Sequence, residues 1–249
     1  MVSLIHSPTI ETYTVNLNFF KDFAPEIHDK ISANGSGDFK FVSEGEEDFD
    51  IEIRGDRFYA GGAIAATENQ IKEFWNNQPN RIFLKPEQDV NGVGVVNQFF
   101  KKITKRAVDA EISFYEDRCD LRSYHLIFCG IGLGVHLPIL LDLLQCRALT
   151  IVEADLDLLQ ASLYTLDWRS FNDCFSSESK GHLNLIVTDD VNTAYDYVRS
   201  IVKFQTAPAF LDGFCLFQHY GADLFSMLGS KIFEAPNELF SNFGFLYDD

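Results

Sequence analysis

An apolar run, His125-Leu126-Ile127-Phe128-Cys129, meets glycines at alternate positions, Gly130, Gly132 and Gly134, and passes directly into helical sequence from Val135 to Gln145. A buried strand can turn that sharply into a helix because glycine accepts a left-handed backbone and lets the helix pack close to the sheet. The rhythm then repeats. Leu149-Thr150-Ile151-Val152 ends in Glu153 and precedes a helix from Leu156 to Leu166. Leu183 to Val187 ends in Asp189-Asp190 and precedes a helix from Asn192 to Phe204, and a last apolar stretch runs from Ala209 to Phe217. Strands alternating with helices predict a parallel sheet covered on both faces. Residues 121–249 therefore read as a Rossmann-like α/β domain.

The first 115 residues lack that alternation and read as a small mixed α+β domain. A helix is expected over Phe19 to Ile31, followed by the loop Asn34-Gly35-Ser36-Gly37. Glu44 to Asp56 is densely acidic, with Arg54 its single base, and alternates as Phe49-Asp50-Ile51-Glu52-Ile53. Period-2 alternation predicts a half-buried strand, here at a solvated edge whose charges discourage aggregation; a cation site is the lesser alternative. Ile64 to Asn76 has helical spacing with Ile64, Ile71, Phe74 and Trp75 on one side. Arg81 to Lys85 is a short strand stopped by Pro86, and Val95 to Ala110 is a helix whose Lys101, Lys102, Lys105 and Arg106 form a solvated basic face.

Charge and cysteine usage remove whole classes of function. The 249 residues carry a formal net charge of −17, a field that repels phosphate backbones, so neither nucleic acid nor an anionic membrane is an expected partner. The longest apolar run, around Leu137 to Leu144, is interrupted by Asp142, and a membrane span needs about 20 apolar residues. The N-terminus lacks the pattern of a signal peptide. Five cysteines without a Cys-x-x-Cys read as reduced thiols of a cytoplasmic protein.

In open parallel sheets, ligands bind at the carboxyl ends of the strands. The glycine turn, Glu153 and Asp189-Asp190 all fall there, and the turn opens a helix whose amides favour an anion or a close backbone approach. A dinucleotide fingerprint wants a small residue where Val135 stands. Gly130, Gly132 and Gly134 instead form Gly-x-Gly-x-Gly, which resembles the first motif of S-adenosylmethionine methyltransferases. That resemblance implies ribose contacts from Glu153, 19 residues past Gly134, and an adenine contact from Asp189. Phe128 departs from the pattern, standing where the family carries an acid. Close helix packing alone also accounts for the glycines.

A second resemblance covers more of the chain. Phe128 to Leu137 with its Val135-His136-Leu137, Ile151-Val152-Glu153-Ala154-Asp155 and Leu166-Asp167-Trp168 resemble the motility accessory factor (Maf) family. Phe58-Tyr59 upstream of Gln70-Ile71 and Phe74, and the tail from Phe243 to Asp249, are similar to further parts of it. The family contains a 6-hydroxymethylpterin pyrophosphokinase-like domain. It implies transfer of a nonulosonic sugar from a CMP-activated donor to Ser or Thr of flagellin. It also implies a transferase domain beginning where this chain stops, so no complete active site is expected within it. His136 and Glu153 carry over as motif residues without an assigned role, and no catalytic residue carries over.

Other constellations are weaker. Asp155-Leu156-Asp157 has the form by which glycosyltransferases hold a metal, yet acids are common in a first helical turn because they complement the dipole. The six histidines show no zinc spacing, and no metal site is expected. Eight phenylalanines and two tyrosines lie beyond Ala209; of these Phe240, Phe243, Phe245 and Tyr247 are expected to form an apolar patch for a missing C-terminal transferase domain or a second subunit. Three classes stay open: a module of a Maf-type glycosyltransferase, an S-adenosylmethionine-dependent methyltransferase, and a non-catalytic interaction module. The candidate binding residues are Gly130, Gly132, Gly134, His136, Glu153 and Asp189, with a nucleotide, a CMP-sugar or S-adenosylmethionine as possible ligands.

Overall fold

The structure, a computed structural model, describes residues 4–45, 48–76, 81–82, 95–111, 123–175, 181–204 and 214–234. The patch expected from Phe240 to Tyr247 lies outside them. Four parallel strands form its centre: β5 (His125–Cys129), β6 (Ala148–Glu153), β7 (His182–Val187) and β8 (Phe214–Gln218), laid side by side in the order β8-β5-β6-β7. The Rossmann-like sheet is thus present, with helices on both faces. The short strand expected from Arg81 joins the edge of this sheet, a placement that its sequence does not announce. β4 (Arg81–Ile82) runs antiparallel along β8, pairing Arg81 with Cys215.

Each strand sends alternate side chains to opposite faces. Leu126, Phe128, Leu149, Ile151, Cys215 and Phe217 enter one core with Leu137, Leu140 and Leu144 of α5 (His136–Leu144). Ile127, Cys129, Val152 and Leu216 enter the other, with Val198 of α8 (Val191–Phe204) and Leu228 of α9 (Asp223–Glu234). Full burial of a side chain of this size contributes about 1.5–3 kcal/mol, so a one-residue slip in register would cost the sheet most of its stability.

The first core does not stop at the parallel domain. α1 (Ile10–Phe23) and α2 (Pro25–Asn34) contribute Phe20, Ile27 and Ile31 to it. The single helix expected over Phe19 to Ile31 is in fact these two, broken at Ala24 (φ −146°, ψ 74°) because Pro25 forces its predecessor out of the helical region. Trp168 stands edge-on to Phe20 at 5.0 Å. Asn16 is buried and fastens α1 to the far segment: its amide donates to the Leu163 and Leu166 carbonyls, 2.7 Å each, and its oxygen accepts from the Trp168 amide at 3.0 Å.

The helix expected from Leu156 to Leu166 ends earlier, as α6 (Leu156–Ser162), and a turn leads to α7 (Trp168–Asp173). The Asp-Trp pair is the start of that helix. Asp167 caps it through the Ser170 amide at 3.0 Å, and the buried Trp168 indole donates to Ser162 Oγ at 3.1 Å.

A three-stranded antiparallel meander, β1 (Phe39–Ser43), β2 (Phe49–Ile53) and β3 (Asp56–Arg57), sits beside the glycine turn. Its Phe49 and Ile51 share a core with Leu133 and Val135. Beyond it α3 (Ala63–Asn76) buries Ile71 and Phe74, while Trp75 is 41% exposed and leaves the expected apolar side. The acidic strand also departs from simple alternation: Asp50 is buried. Its carboxylate accepts from its neighbour Ile51 at 2.6 Å, from the Tyr59 amide at 3.0 Å and from Gly61 at 3.4 Å. Asp48 accepts from the Ile64 and Ala65 amides at the start of α3. These acids hold residues 57–65 in place, and the solvated-edge reading fits only their neighbours. On α4 (Val95–Asp109), Lys101, Lys102, Lys105 and Arg106 are exposed, as a solvated basic face requires.

Candidate functional site

Read in chain order, the parallel strands lie fourth, first, second, third. The order reverses direction between β5 and β8, and a crevice at such a switch point is where open α/β sheets place their ligands. The glycine turn leaves β5 there. Its backbone takes positive φ at Gly130 (86°), Gly132 (52°) and Gly134 (76°), conformations that a side chain would strain.

The space beside each glycine is filled from within the chain. A Cβ on Gly130 would meet the Tyr220 ring, one on Gly132 the His219 ring and the Tyr59 hydroxyl, and one on Gly134 the Leu166 side chain. His219 and Tyr220 follow β8 directly. Tyr59 arrives on the strap between β3 and α3, held by Asp50. Its ring stacks on His219 at 5.5 Å and 28°, and Phe58 lies edge-on to both.

Glu153, at the end of β6, is fully buried beneath the turn. One oxygen accepts from the Ile131 amide at 2.6 Å; the other accepts from Ala154 at 2.7 Å, from Asp155 at 2.8 Å and from the Tyr220 hydroxyl. Burial pushes this carboxyl up to about 7, against the opposing pull of Tyr220 and the three amides. The Leu133 amide donates to Tyr59 Oη at 2.9 Å. Burial raises both phenols well above their ordinary value, with Glu153 adding to the rise at each.

His136, in the first turn of α5, is buried with its ring 4.1 Å from that of His219. Its nitrogens face Thr67 Oγ1 at 3.3 Å and Gln70 Oε1 at 2.7 Å. Burial, reinforced by His219, lowers it to about 2. His219 Nδ1 lies 3.0 Å from the Gly130 carbonyl, which can only accept, so Nδ1 carries the proton. Burial lowers His219 to about 4, and both imidazoles are neutral at pH 7. His219 Nε2 is buried without a hydrogen-bond partner among the described residues.

Five of the six candidate residues, Gly130, Gly132, Gly134, His136 and Glu153, therefore gather at the switch point. Asp189 does not join them: it is exposed beyond β7, with β6 between that strand and β5. Its neighbour Asp190 caps α8, accepting from the Thr193 amide at 2.7 Å. Tyr59, Gln70, His219 and Tyr220 complete the site and were not among the candidates. Tyr59 and Gln70 stood in the sequence only as part of the Maf resemblance, and the last two follow the last apolar stretch and hence end the strand that makes the switch point. Asp155 and Asp157 of the Asp-x-Asp motif face Arg54, at 2.7 and 3.5 Å, and among the described residues no cluster of His, Cys, Asp or Glu could hold a metal. No helix among the described residues is long and apolar enough to cross a membrane.

Residues 12–239 match the sequence profile of the family described as the glycosyltransferase Maf N-terminal domain. Among solved structures the chain is similar to the Maf glycosyltransferase of Magnetospirillum magneticum AMB-1, with a TM-score of 0.77 and 27% identity. That match covers 92% of this chain and 35% of the Magnetospirillum chain, so the chain spans about a third of that protein's length. No curated protein sequence matches it.

Proposed function

The chain belongs to the Maf glycosyltransferase N-terminal domain family, and from that premise we propose that it serves flagellin glycosylation. In this reading it is the N-terminal part of a machinery that transfers a nonulosonic sugar from a CMP-activated donor to Ser or Thr of flagellin, in the cytoplasm. The observation that carries the proposal is the extent of the match, which takes in both the meander and the parallel sheet. The chain supplies architecture and contacts to that reaction, and the transfer step needs residues outside it. Two features support this division. The chain spans 35% of the Magnetospirillum protein. Glu153, where a methyltransferase would hold a ribose, already accepts from three amides and a phenol.

The test is a chimera. This chain replaces the matching third of the Magnetospirillum protein, and the product is incubated with flagellin and a CMP-nonulosonic acid. The expected result is a gain in flagellin mass of whole nonulosonic residues on Ser or Thr, and no gain with the 249-residue chain alone. A folded chimera that leaves flagellin unmodified overturns the proposal. So does a methyl added to flagellin by the chain and S-adenosylmethionine.

A further inference from the structure

Two hydrogen-bonding valences at the switch point are spent in an unusual way. The Leu133 amide, in the glycine turn, ends on a side chain from residue 59, Tyr59 Oη, at 2.9 Å. In a turn of this kind such an amide is available to a ligand oxygen. His219 Nε2, whose lone pair is fixed by the Nδ1–H bond to Gly130, ends on nothing among the described residues although the residue is only 4% exposed. Buried acceptors are rarely left unpaired in folded proteins. The two residues meet at Gly132, where an added Cβ would strike His219 Cε1, the ring carbon next to Nε2, and the Tyr59 hydroxyl together.

We infer that the switch point is a binding site for the neutral vicinal hydroxyls of a saccharide or nucleoside, closed here by Tyr59. With Tyr59 displaced, one ligand hydroxyl accepts from the Leu133 amide and its neighbour on the ring donates to His219 Nε2, which the Tyr59 hydroxyl itself does not reach. Vicinal hydroxyls supply both an acceptor and a donor, and neither a carboxylate nor a phosphate dianion offers the donor. Charge points the same way. Glu153 and Asp50 are buried on either side of the strap, Arg54 is spent on Asp155 and Asp157, and Arg57 faces Glu44 and Asp50. An anion would thus meet carboxylates, and the two arginines beside the strap are already paired. Beside the site, Phe58 and Tyr220 present aromatic rings that suit a sugar or base ring. The strap has a place to bend directly after Tyr59, at Ala60 (φ 53°), Gly61 (148°) and Gly62 (107°).

The test uses the full 249-residue chain carrying ¹⁵N-histidine. Wild type, Tyr59→Phe and Tyr59→Ala are titrated with cytidine, N-acetylglucosamine and inorganic phosphate, following the His219 Nε2 resonance and the melting temperature. In Tyr59→Ala, cytidine or N-acetylglucosamine should move the resonance to its hydrogen-bonded position and raise the melting temperature; which one does so separates nucleoside from saccharide. Phosphate should do neither. His219→Asn keeps a donor for the Gly130 carbonyl but deletes Nε2, and should weaken the neutral probe at least tenfold in the Tyr59→Ala background. If Tyr59→Ala does not fold, Tyr59→Phe, which keeps the ring and removes only the competing hydroxyl, carries the same titration. The proposal falls if neither neutral probe moves the resonance, or if phosphate alone binds. It falls as well if Nε2 is already hydrogen-bonded in the ligand-free chain and unchanged by every probe, the signature of a buried water only. None of these failures touches the chimera experiment.

Discussion

Tyr220 donates its phenolic proton to Glu153 across the carboxyl end of the sheet, joining the residue that closes β6 to the second residue beyond β8. With β5 lying between those strands, the bond ties both neighbours of the glycine turn together beneath it. The carboxyl group is the centre of that knot, and its titration has a measurable consequence.

Burial raises Glu153 from 4.5 to about 7 in the folded chain. A raised folded value means that the native state holds the proton more tightly than the unfolded one. This contribution to stability is therefore complete below pH 4.5 and is lost as pH rises through 7. The loss amounts to about 3 kcal/mol, at 1.36 kcal/mol per unit. Glu153→Gln removes the titration. Urea unfolding at a series of pH values should show a fall between pH 4.5 and 7 that is present in wild type and flattened in the variant. Equal slopes in the two would refute the assignment.

Asn16→Ala should destabilise the chain by about 3 kcal/mol, because two buried carbonyls and the Trp168 amide lose their partner at once. Asn16→Asp should be at least as harmful. It keeps an acceptor for Trp168 but sets a carboxylate against the Leu163 and Leu166 oxygens. The midpoint of urea unfolding measures both, and an Asp variant as stable as wild type would contradict the geometry.

Two glycines should respond in opposite directions. Gly132→Ala adds a methyl group where His219 and Tyr59 already lie, at a φ of 52°, and should cost more than about 2 kcal/mol. Gly229→Ala, in α9 with nothing within 4 Å of the new carbon, should instead stabilise by about 0.5–1 kcal/mol. Thermal melts of the pair check the contrast.

With the strap closed, CMP and S-adenosylhomocysteine should leave the melting temperature of the wild-type chain unchanged. A ligand at about 100 times its dissociation constant adds ~2.7 kcal/mol, which a thermal melt resolves easily. A clear rise with either compound would mean that the turn receives a nucleotide with Tyr59 in place.

The parallel sheet was legible because its signal is local. Leu126 and Phe128 alternate with Ile127 and Cys129 within five residues, and the glycines mark the turn by their own backbone demands. The break at Ala24 was missed although Pro25 marks it, because helical spacing on either side reads as one continuous helix. What surrounds the turn was not legible. Tyr59 and His219 reach Gly132 from distant parts of the chain, and no periodicity encodes such a meeting. Asp50 misled for a different reason. In an alternating strand a carboxylate reads as outward-facing, and only the folded chain supplies the Ile51, Tyr59 and Gly61 amides that make its burial tolerable.

The pairing of β4 with β8, of Asn16 with residues 163–168 and of Tyr59 with Leu133 sets a timetable for synthesis. The N-terminal helices and the meander pack partly on each other, but the core that α1, α2 and α3 enter is completed by strands and helices translated later, and the partner of Arg81 is Cys215. A nascent chain thus carries Phe20, Ile27 and Ile31 without their cover until most of it has left the ribosome. Contacts of such long sequence separation form slowly. The N-terminal helices of this chain finish packing only when its later strands arrive, so in the interval they expose apolar side chains.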